Sequence, residues 1–406
     1  MASRVKHIVL KFAGVIDVAS VSATNFIVSL FILRELSDSQ YAIYVNLFSV
    51  LMLLSTIQNA FINTALSVHC SKISDKFEKE NHAFHLCVLS NLAQVLCFLP
   101  VLLFGLSYPI WLVVFVYFAH AMYLNRELYR TYNFVFGNKS RVILSSIVLV
   151  VSLSTALLIG VTFDIQSLEF IYAVLAMSGL LSTTILVLGV SRKQLSVRSL
   201  TSARKTVASF AKWTSLGSFA TWAQNNSYTY LATIIIGLEA TAALAAARLI
   251  TMPINVVASG IYMAEKPKWA SLYATDKKRL KFVSKRVTEF MFAFVAIFSM
   301  TSFFMMDSLS NLLATDLDVV LLMLWFLSAA IQCFKFSNSN ILNVSEDFKY
   351  LGLMGTKVAI LGVAFSAFLG FLFGAKGILI GFCLGEFMHF INTRKRINTS
   401  GIFSGN

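Results

Sequence analysis

PIWLVVFVYFAHAMYLNRELYRTYN, Pro109–Asn133, decides how the rest of the chain is read. Its first part is a long apolar run suited to lipid. Its second part carries Arg126, Glu127 and Arg130, and neither Pro nor Gly separates the two. One helix therefore holds both lipid-compatible and ionic residues. A charged side chain at the centre of a bilayer costs about 2.5–3.5 kcal/mol on insertion scales, so these groups must face protein, water or the membrane edge.

The whole chain repeats that composition. Of 406 residues, 57% are hydrophobic and 13% charged, against about 25% charged in an ordinary soluble domain. A water-soluble fold has no interior large enough for so much apolar side chain. Crossing a hydrocarbon core of about 30 Å takes about 20 apolar residues. Twelve such segments are predicted, at approximately 8–34, 41–68, 83–107, 109–136, 142–162, 168–190, 209–236, 240–263, 283–306, 319–343, 351–373 and 376–392. Segments of this length fit helices and not barrel strands. The expected fold is an all-α polytopic membrane protein with about twelve transmembrane helices, in two six-helix lobes around a central cavity. Residues 1–190 form the N-terminal lobe, 191–208 a cytoplasmic linker and 209–406 the C-terminal lobe.

The net charge is +14. The lysines and arginines concentrate in the N-terminus, the C-terminus and the loops after even-numbered spans; only Arg34 and Lys376 fall in odd-numbered loops. Positive loops stay in the cytoplasm, which places both termini inside. Runs such as Lys277-Lys278-Arg279 read as topology signals and contacts to anionic lipid headgroups, and no nucleic-acid partner is needed to explain the basic balance. The five cysteines, Cys70, Cys87, Cys97, Cys333 and Cys383, show no metal-ligand spacing and sit where disulfides are not expected. No cleavable leader is expected at the N-terminus, because the first apolar run is too long for one. There is no nucleotide-binding glycine-rich loop with lysine. Neither cofactor nor metal is expected.

Six cations fall inside predicted spans: Arg126, Arg130, Lys212, Arg248, Lys335 and Lys357. Helical spacing groups them with other polar residues. Tyr123, Arg126, Arg130 and Asn133 share one face of span 4. Gln224 and Tyr228 share a face of span 7 with Trp213, Gly217 and Thr221. Arg248, Thr251, Asn255, Ser259 and Tyr262 form a stripe on span 8, and Ser328, Gln332, Lys335 and Ser339 one on span 10. Asp17 opens a shorter stripe with Ser20, Thr24 and Asn25, and span 2 carries Ser55, Gln58, Asn59 and Asn63. Each such span has one polar stripe and one apolar face, the pattern of helices lining a wet cavity; isolated polar residues also serve as glue between membrane helices. The acids inside spans are fewer: Asp17, Glu127, Glu386 and Glu289. Glu386 shares its face with His389, and Glu127 is placed to neutralise Arg126 or a cation on another helix. A net positive, hydrated cavity attracts anions, and Arg forks onto phosphate oxygens. Arg126, Arg130, Arg248, Lys335 and Lys357 are the candidate anion-binding cations. Tyr123, Asn133, Gln224, Tyr228, Asn255, Tyr262 and Gln332 are candidate polar and aromatic wall. Asp17, Glu127 and Glu386 are candidates for ion coupling, with pairing to a cation the competing role for Asp17.

The two halves look like parallel repeats, an arrangement that secondary transporters use. SLFILRELSDSQYAIYVNLFSV aligns with ATIIIGLEATAALAAARLITM so that Leu36 meets Leu238 and Asn46 meets Arg248. The first hairpin, FILRELSDSQYAIYVNLFSVLMLLSTIQNAFINTAL, resembles the N-terminal signature of the O-antigen flippase family of polysaccharide exporters. Arg34 and Leu36-Ser37 match that signature, while Ala42 stands where Gly is usual. The second hairpin resembles the family's seventh and eighth spans, with Ala-Ala-Arg ending at Arg248. This resemblance implies membership of a superfamily that includes multidrug exporters. It also implies translocation of an undecaprenyl-diphosphate-linked oligosaccharide from the inner to the outer leaflet of a bacterial inner membrane by alternating access, with lipid-linked oligosaccharide, membrane lipids and the polysaccharide polymerase machinery as partners.

Two other readings compete. A drug exporter of the same superfamily is opposed by the sign of the in-span charge. A membrane-embedded glycan polymerase or transferase needs a larger outer loop than Asp307–Asp318, where Asp307, Asp316 and Asp318 cluster.

Overall fold

A computed structural model of the chain describes residues 13–96, 108–190, 197–400 and 402–403. No strand occurs among them. The elements are α1 (Ala13–Glu35), α2 (Asp38–Gln58), a five-residue π turn (Asn59–Asn63), α3 (Thr64–Lys72), α4 (Lys76–Leu96), α5 (Ile110–Val135), α6 (Lys139–Thr162), α7 (Leu168–Val187), α8 (Val197–Ile235), α9 (Leu238–Thr275), α10 (Lys277–Phe304), α11 (Met306–Leu313), α12 (Val319–Val344) and α13 (Phe348–Thr399). This is an all-helical, multi-pass membrane protein.

Eight described helices are long and apolar enough to cross a bilayer: α1, Asp38–Ser67, α6, α7, Leu238–Tyr262, α10, α12 and α13. The last has 52 residues, about 78 Å at 1.5 Å per residue, enough for two passes. It bends at Gly374, whose φ of 62° and ψ of −142° are non-helical. The eleventh and twelfth predicted spans are thus two helical arms joined at Gly374, and glycine permits the turn because it has no Cβ to clash at positive φ. Past the bend the arms fold back on each other. A Cβ on Gly381 would strike the backbone of Ser366, so the arms meet backbone to backbone. The fourth and seventh predicted spans are the helices α5 and α8, long enough to cross but more polar than the eight. The third predicted span is helical through Leu96 in α4, and its remainder, 97–107, lies outside the described residues.

Polar side chains set several helix starts. Ser167 Oγ accepts from the Phe170 N–H at 3.2 Å to open α7. Asp276 accepts from the Arg279 N–H at 2.9 Å to open α10. Asp318 accepts from the N–H groups of Val320 and Leu321 at α12 and pairs with Lys376 at 3.1 Å. Partial burial pushes the Asp318 carboxyl up, but Lys376 and the two amides outweigh it and hold the group below the usual carboxylate range. Capping and pairing account for the one member of the Asp307–Asp318 cluster that is best placed to look catalytic.

The chain divides into two compact units. Unit 1 contains residues up to Phe31 and Leu47–Ser215; unit 2 contains Ile32–Asn46 and Leu216–Asn406. The turn between α1 and α2 therefore belongs with the second unit. Asn46 Nδ2 donates to Thr233 Oγ1 at 2.8 Å, and Tyr230 donates to the Asn46 carbonyl at 3.3 Å. From Val197 onward the predicted linker is helical and continuous with the seventh predicted span. Unit 1 has an apolar core of Leu66, Leu86, Cys87, Leu128 and Tyr132 with their neighbours. Unit 2 has one built on Tyr228, Leu244, Trp325, Leu379 and Phe382. Large apolar side chains also face outward, among them Phe290, Ile297, Met300 and Phe304 on α10 and Phe368, Phe371 and Phe373 on α13. On a water-soluble protein such patches would drive association; on this one they fit acyl chains.

Candidate functional site

The polar stripes converge on two buried ionic groups, one in each unit, and on a separate cation in unit 2. In unit 1, α5 presents Arg126 and Arg130 one turn apart, and α1 brings Asp17 to both. Arg126 Nη2 donates to Asp17 Oδ1 at 2.6 Å and Arg130 Nη1 to Asp17 Oδ2 at 2.7 Å. Arg130 Nη2 donates to Glu127 Oε2 at 2.6 Å, and Arg126 Nη1 stands 3.7 Å from Glu127 Oε1. Serines from α6 and α7 close the group. Arg126 Nε donates to Ser182 Oγ at 3.0 Å, and Ser146 Oγ donates to Asp17 Oδ1 at 2.7 Å. Two guanidiniums thus face two carboxylates. Asp17 is fully buried and Arg126 is 2% exposed. Charge-assisted, forked contacts of this kind are the ones that survive removal from water.

The other predicted residues of this helix are placed nearby. Tyr123 is half-buried, one turn before Arg126. Asn133 is buried and donates through Nδ2 to the carbonyls of Tyr129 and Leu186, so it ties α5 to α7. A second, uncharged network in the same unit links α2, α4 and α5. Gln58 donates to the Leu124 carbonyl at 2.8 Å, Gln94 to Gln58 Oε1 at 3.3 Å and Asn125 to Gln94 Oε1 at 2.8 Å.

In unit 2, Lys335 on α12 meets Glu386 on α13, with Nζ 2.8 Å from Oε2 and 3.0 Å from Oε1. Gln224 on α8 donates to the same carboxylate at 2.7 Å. All three are buried. Arg248 on α9 is treated differently. Its Nη1 donates to the Asn225 carbonyl at 3.2 Å and to the Tyr228 hydroxyl at 3.1 Å. Its guanidinium lies 5.1 Å from the Tyr228 ring centre and 5.3 Å from that of Trp325. Those two rings meet edge to face at 5.2 Å, and Trp325 Nε1 donates to the Leu244 carbonyl, which fixes the shelf. Among the described residues no carboxylate pairs with Arg248.

Lys357 is exposed on α13. Tyr262 is buried and donates to the Cys333 carbonyl at 3.1 Å, between the rings of Trp269 and Phe336. Gln332 donates to Ser328 one turn earlier, at 3.3 Å. Asn255 is half-buried, seven residues and about two turns from Arg248. Sequence reasoning missed Ser145, Ser146, Ser182 and Trp325, since nothing in their local spacing sets them apart from other serines and aromatics of apolar helices. The adjacent serines in VILSSIVLV were the one available signal. The side chains of Lys212 and Trp213 lie outside the described residues.

The class this architecture defines is a polytopic helical membrane protein with ionic groups buried inside its helix packing. Its backbone is similar to those of solved transporters. An inward-facing multidrug-resistance MATE family transporter of the MOP superfamily superposes with a TM-score of 0.74 at 12% identity, over 94% of this chain and 96% of that one. An outward-facing form of a MATE family transporter gives 0.69 at 14% identity, over 98% and 96%. A MOP superfamily transporter from Pyrococcus furiosus, described as having a binding pocket of reversed polarity, gives 0.68 at 14% identity, over 97% and 95%. No protein-family model and no curated protein matches the chain. At these identities the likeness is one of fold.

Proposed function

We propose that the chain is an alternating-access transporter that moves an anionic lipid-linked glycan, of the undecaprenyl-diphosphate oligosaccharide class, from the inner to the outer leaflet of a bacterial inner membrane. The fold it shares with transporters solved inward-facing and outward-facing supports the alternating-access part. The charge ledger supports the substrate. Arg126, Arg130 and Lys335 are neutralised by Asp17, Glu127 and Glu386, whereas Arg248 keeps its charge.

Arg248 is the observation that carries this reading. Its guanidinium is held on aromatic faces and neutral acceptors, which orient it without discharging it. Donors not used by Asn225 and Tyr228 remain for phosphate oxygens, and Tyr228 and Trp325 beside them suit the C–H faces of a sugar. An exporter of cationic drugs needs acids here, and unit 2 supplies cations. Lys357, exposed on α13, adds to that excess. Members of the superfamily differ in pocket polarity, as the description of the Pyrococcus furiosus transporter states for that protein.

The test is the crossing of a fluorescent diphosphate-linked glycan lipid in vesicles holding the purified protein. Losing one charged hydrogen-bonding partner is worth about 1.5–3 kcal/mol, so Arg248→Ala is expected to slow crossing by roughly 10- to 100-fold. A wild-type rate in that variant, or drug resistance on overexpression with unchanged surface glycan in a deletion strain, rejects the substrate assignment.

A further inference from the structure

One face of α8 has no part in the two ionic groups or in the shelf that holds Arg248. Ala220, Gln224, Tyr228 and Ala232 turn the helix toward the interior of unit 2 and are buried. Phe219, Trp222, Asn226, Tyr230 and Thr233 recur at helical spacing on the opposite side. Phe219 is 52% exposed and the other four are half-buried. The rings form a ladder. Phe219 and Trp222 lie 5.7 Å apart between centres, and Trp222 and Tyr230 6.3 Å. Asn226 stands on the helix between Trp222 and Tyr230. Its Nδ2 donates to the Trp222 carbonyl at 3.0 Å, which leaves Oδ1 as an acceptor. At the end of the face Tyr230 and Thr233 meet Asn46.

The depth of this face argues against lipid as its neighbour. Phe219 to Tyr230 is about 16 Å along the axis at 1.5 Å per residue, inside the seventh predicted span. An amide and two hydroxyls ranged along one helix face are costly against hydrocarbon. A ladder of rings is equally out of place in bulk water. None of the five residues is charged, so an ion is not the natural occupant. A sugar has both characters at once. Its C–H faces lie on the electron-rich faces of aromatic rings, and its rim of hydroxyls donates to and accepts from amides.

We propose that Phe219, Trp222 and Tyr230, with Asn226 among them, form a track on α8 that binds the neutral sugars of a glycan by stacking. That the glycan belongs to a lipid in transit rests on the transport reading above; the binding of sugar does not. Arg248 is held from the same helix, by the Asn225 carbonyl and the Tyr228 hydroxyl. Diphosphate and sugars are then served by neighbouring parts of α8. A chain of several sugars touches more than one ring of the ladder, whereas a single sugar touches one, so the track favours longer glycans.

Saturation-transfer NMR of the full chain in lipid nanodiscs, with cellotetraose as the probe, reads stacking directly. This neutral tetrasaccharide presents C–H groups on both faces of every ring. The expected result is transfer to the sugar C–H protons, with affinity falling on the order of tenfold in Trp222→Ala and recovering in Trp222→Phe. Phe290→Ala, which removes an exposed ring of α10, should bind as wild type does. Absence of transfer in wild type, or equal affinity in Trp222→Ala, overturns the track. Its part in transport is read from the crossing of diphosphate-linked lipids that carry four sugars or one. In Trp222→Ala the half-saturation concentration for the four-sugar lipid should rise about tenfold relative to that for the one-sugar lipid. A ratio equal to that of wild type overturns the place of the track in transport. A chain that binds cellotetraose through Trp222 and moves neither lipid keeps the track and loses the transport reading, so the two failures are distinct.

Discussion

Asp17 shows what a single residue does in this molecule. It hydrogen-bonds both Arg126 and Arg130, and it is fully buried. Removing one partner of a buried ionic group leaves an uncompensated charge, which costs about 3–5 kcal/mol. Asp17→Ala is therefore expected to lower thermal stability in detergent sharply. A double change that also removes a guanidinium, Asp17→Asn with Arg130→Gln, should recover part of that loss in a double-mutant cycle; a fully additive cycle would deny the pairing. Arg248 is the opposite case. Among the described residues no carboxylate is stranded when it changes, so Arg248→Lys should leave the melting temperature nearly unchanged. It should still slow glycan crossing, because an ammonium keeps the charge and loses the planar fork and the stacking on Tyr228 and Trp325. Equal stability and equal rate in Arg248→Lys would reduce the site to a point charge.

At the scale of elements, α13 carries the clearest prediction. Gly381 lies where a Cβ would meet the Ser366 backbone, while Gly260 on α9 has nothing within 4 Å of the same position. Gly381→Ala forces the arms apart and should cost about 1–3 kcal/mol by overpacking. Gly260→Ala should stabilise α9 by about 0.5–1 kcal/mol, the helix-interior preference for Ala. Thermal unfolding of the two variants side by side checks both signs. Helix positions were legible in the sequence because hydropathy is read over one span at a time. The bend at Gly374 was legible only as a weak boundary, Gly374-Ala375-Lys376-Gly377, between two predicted spans. That the two arms pack through Gly381 was not, since contact between the arms is not a local property. The polar helices α5 and α8 show the limit from the other side. Their ionic and amide residues depress hydropathy, and they need the neighbours found in the fold to explain them.

For the whole molecule, the distribution of charge predicts its orientation. Lys277, Lys278, Arg279, Lys281, Lys285 and Arg286 crowd the start of α10, and a positive end of a span stays in the cytoplasm. With native cysteines replaced, Asp276→Cys should react with a membrane-impermeant thiol reagent only from the cytoplasmic side. Asp316→Cys, beyond the other end of α10, should react in intact spheroplasts. Reaction of Asp276→Cys from outside would invert the topology and with it the direction of transport.

Class, span positions and the presence of ionic residues inside spans followed from the amino-acid sequence alone, because lipid compatibility and helical spacing are properties of neighbouring residues. So did the excess of cations over acids, which is a count. Which cations keep their charge was decided by tertiary structure. Arg126 meets Asp17 across 109 positions of sequence, and Lys335 meets Glu386 across 51, while Arg248 meets two aromatic rings and, among the described residues, no acid. Electrostatic interaction falls with distance in space and takes no account of distance along the chain. Only folding, by bringing α1 to α5 and α12 to α13, determined which of these groups neutralise each other.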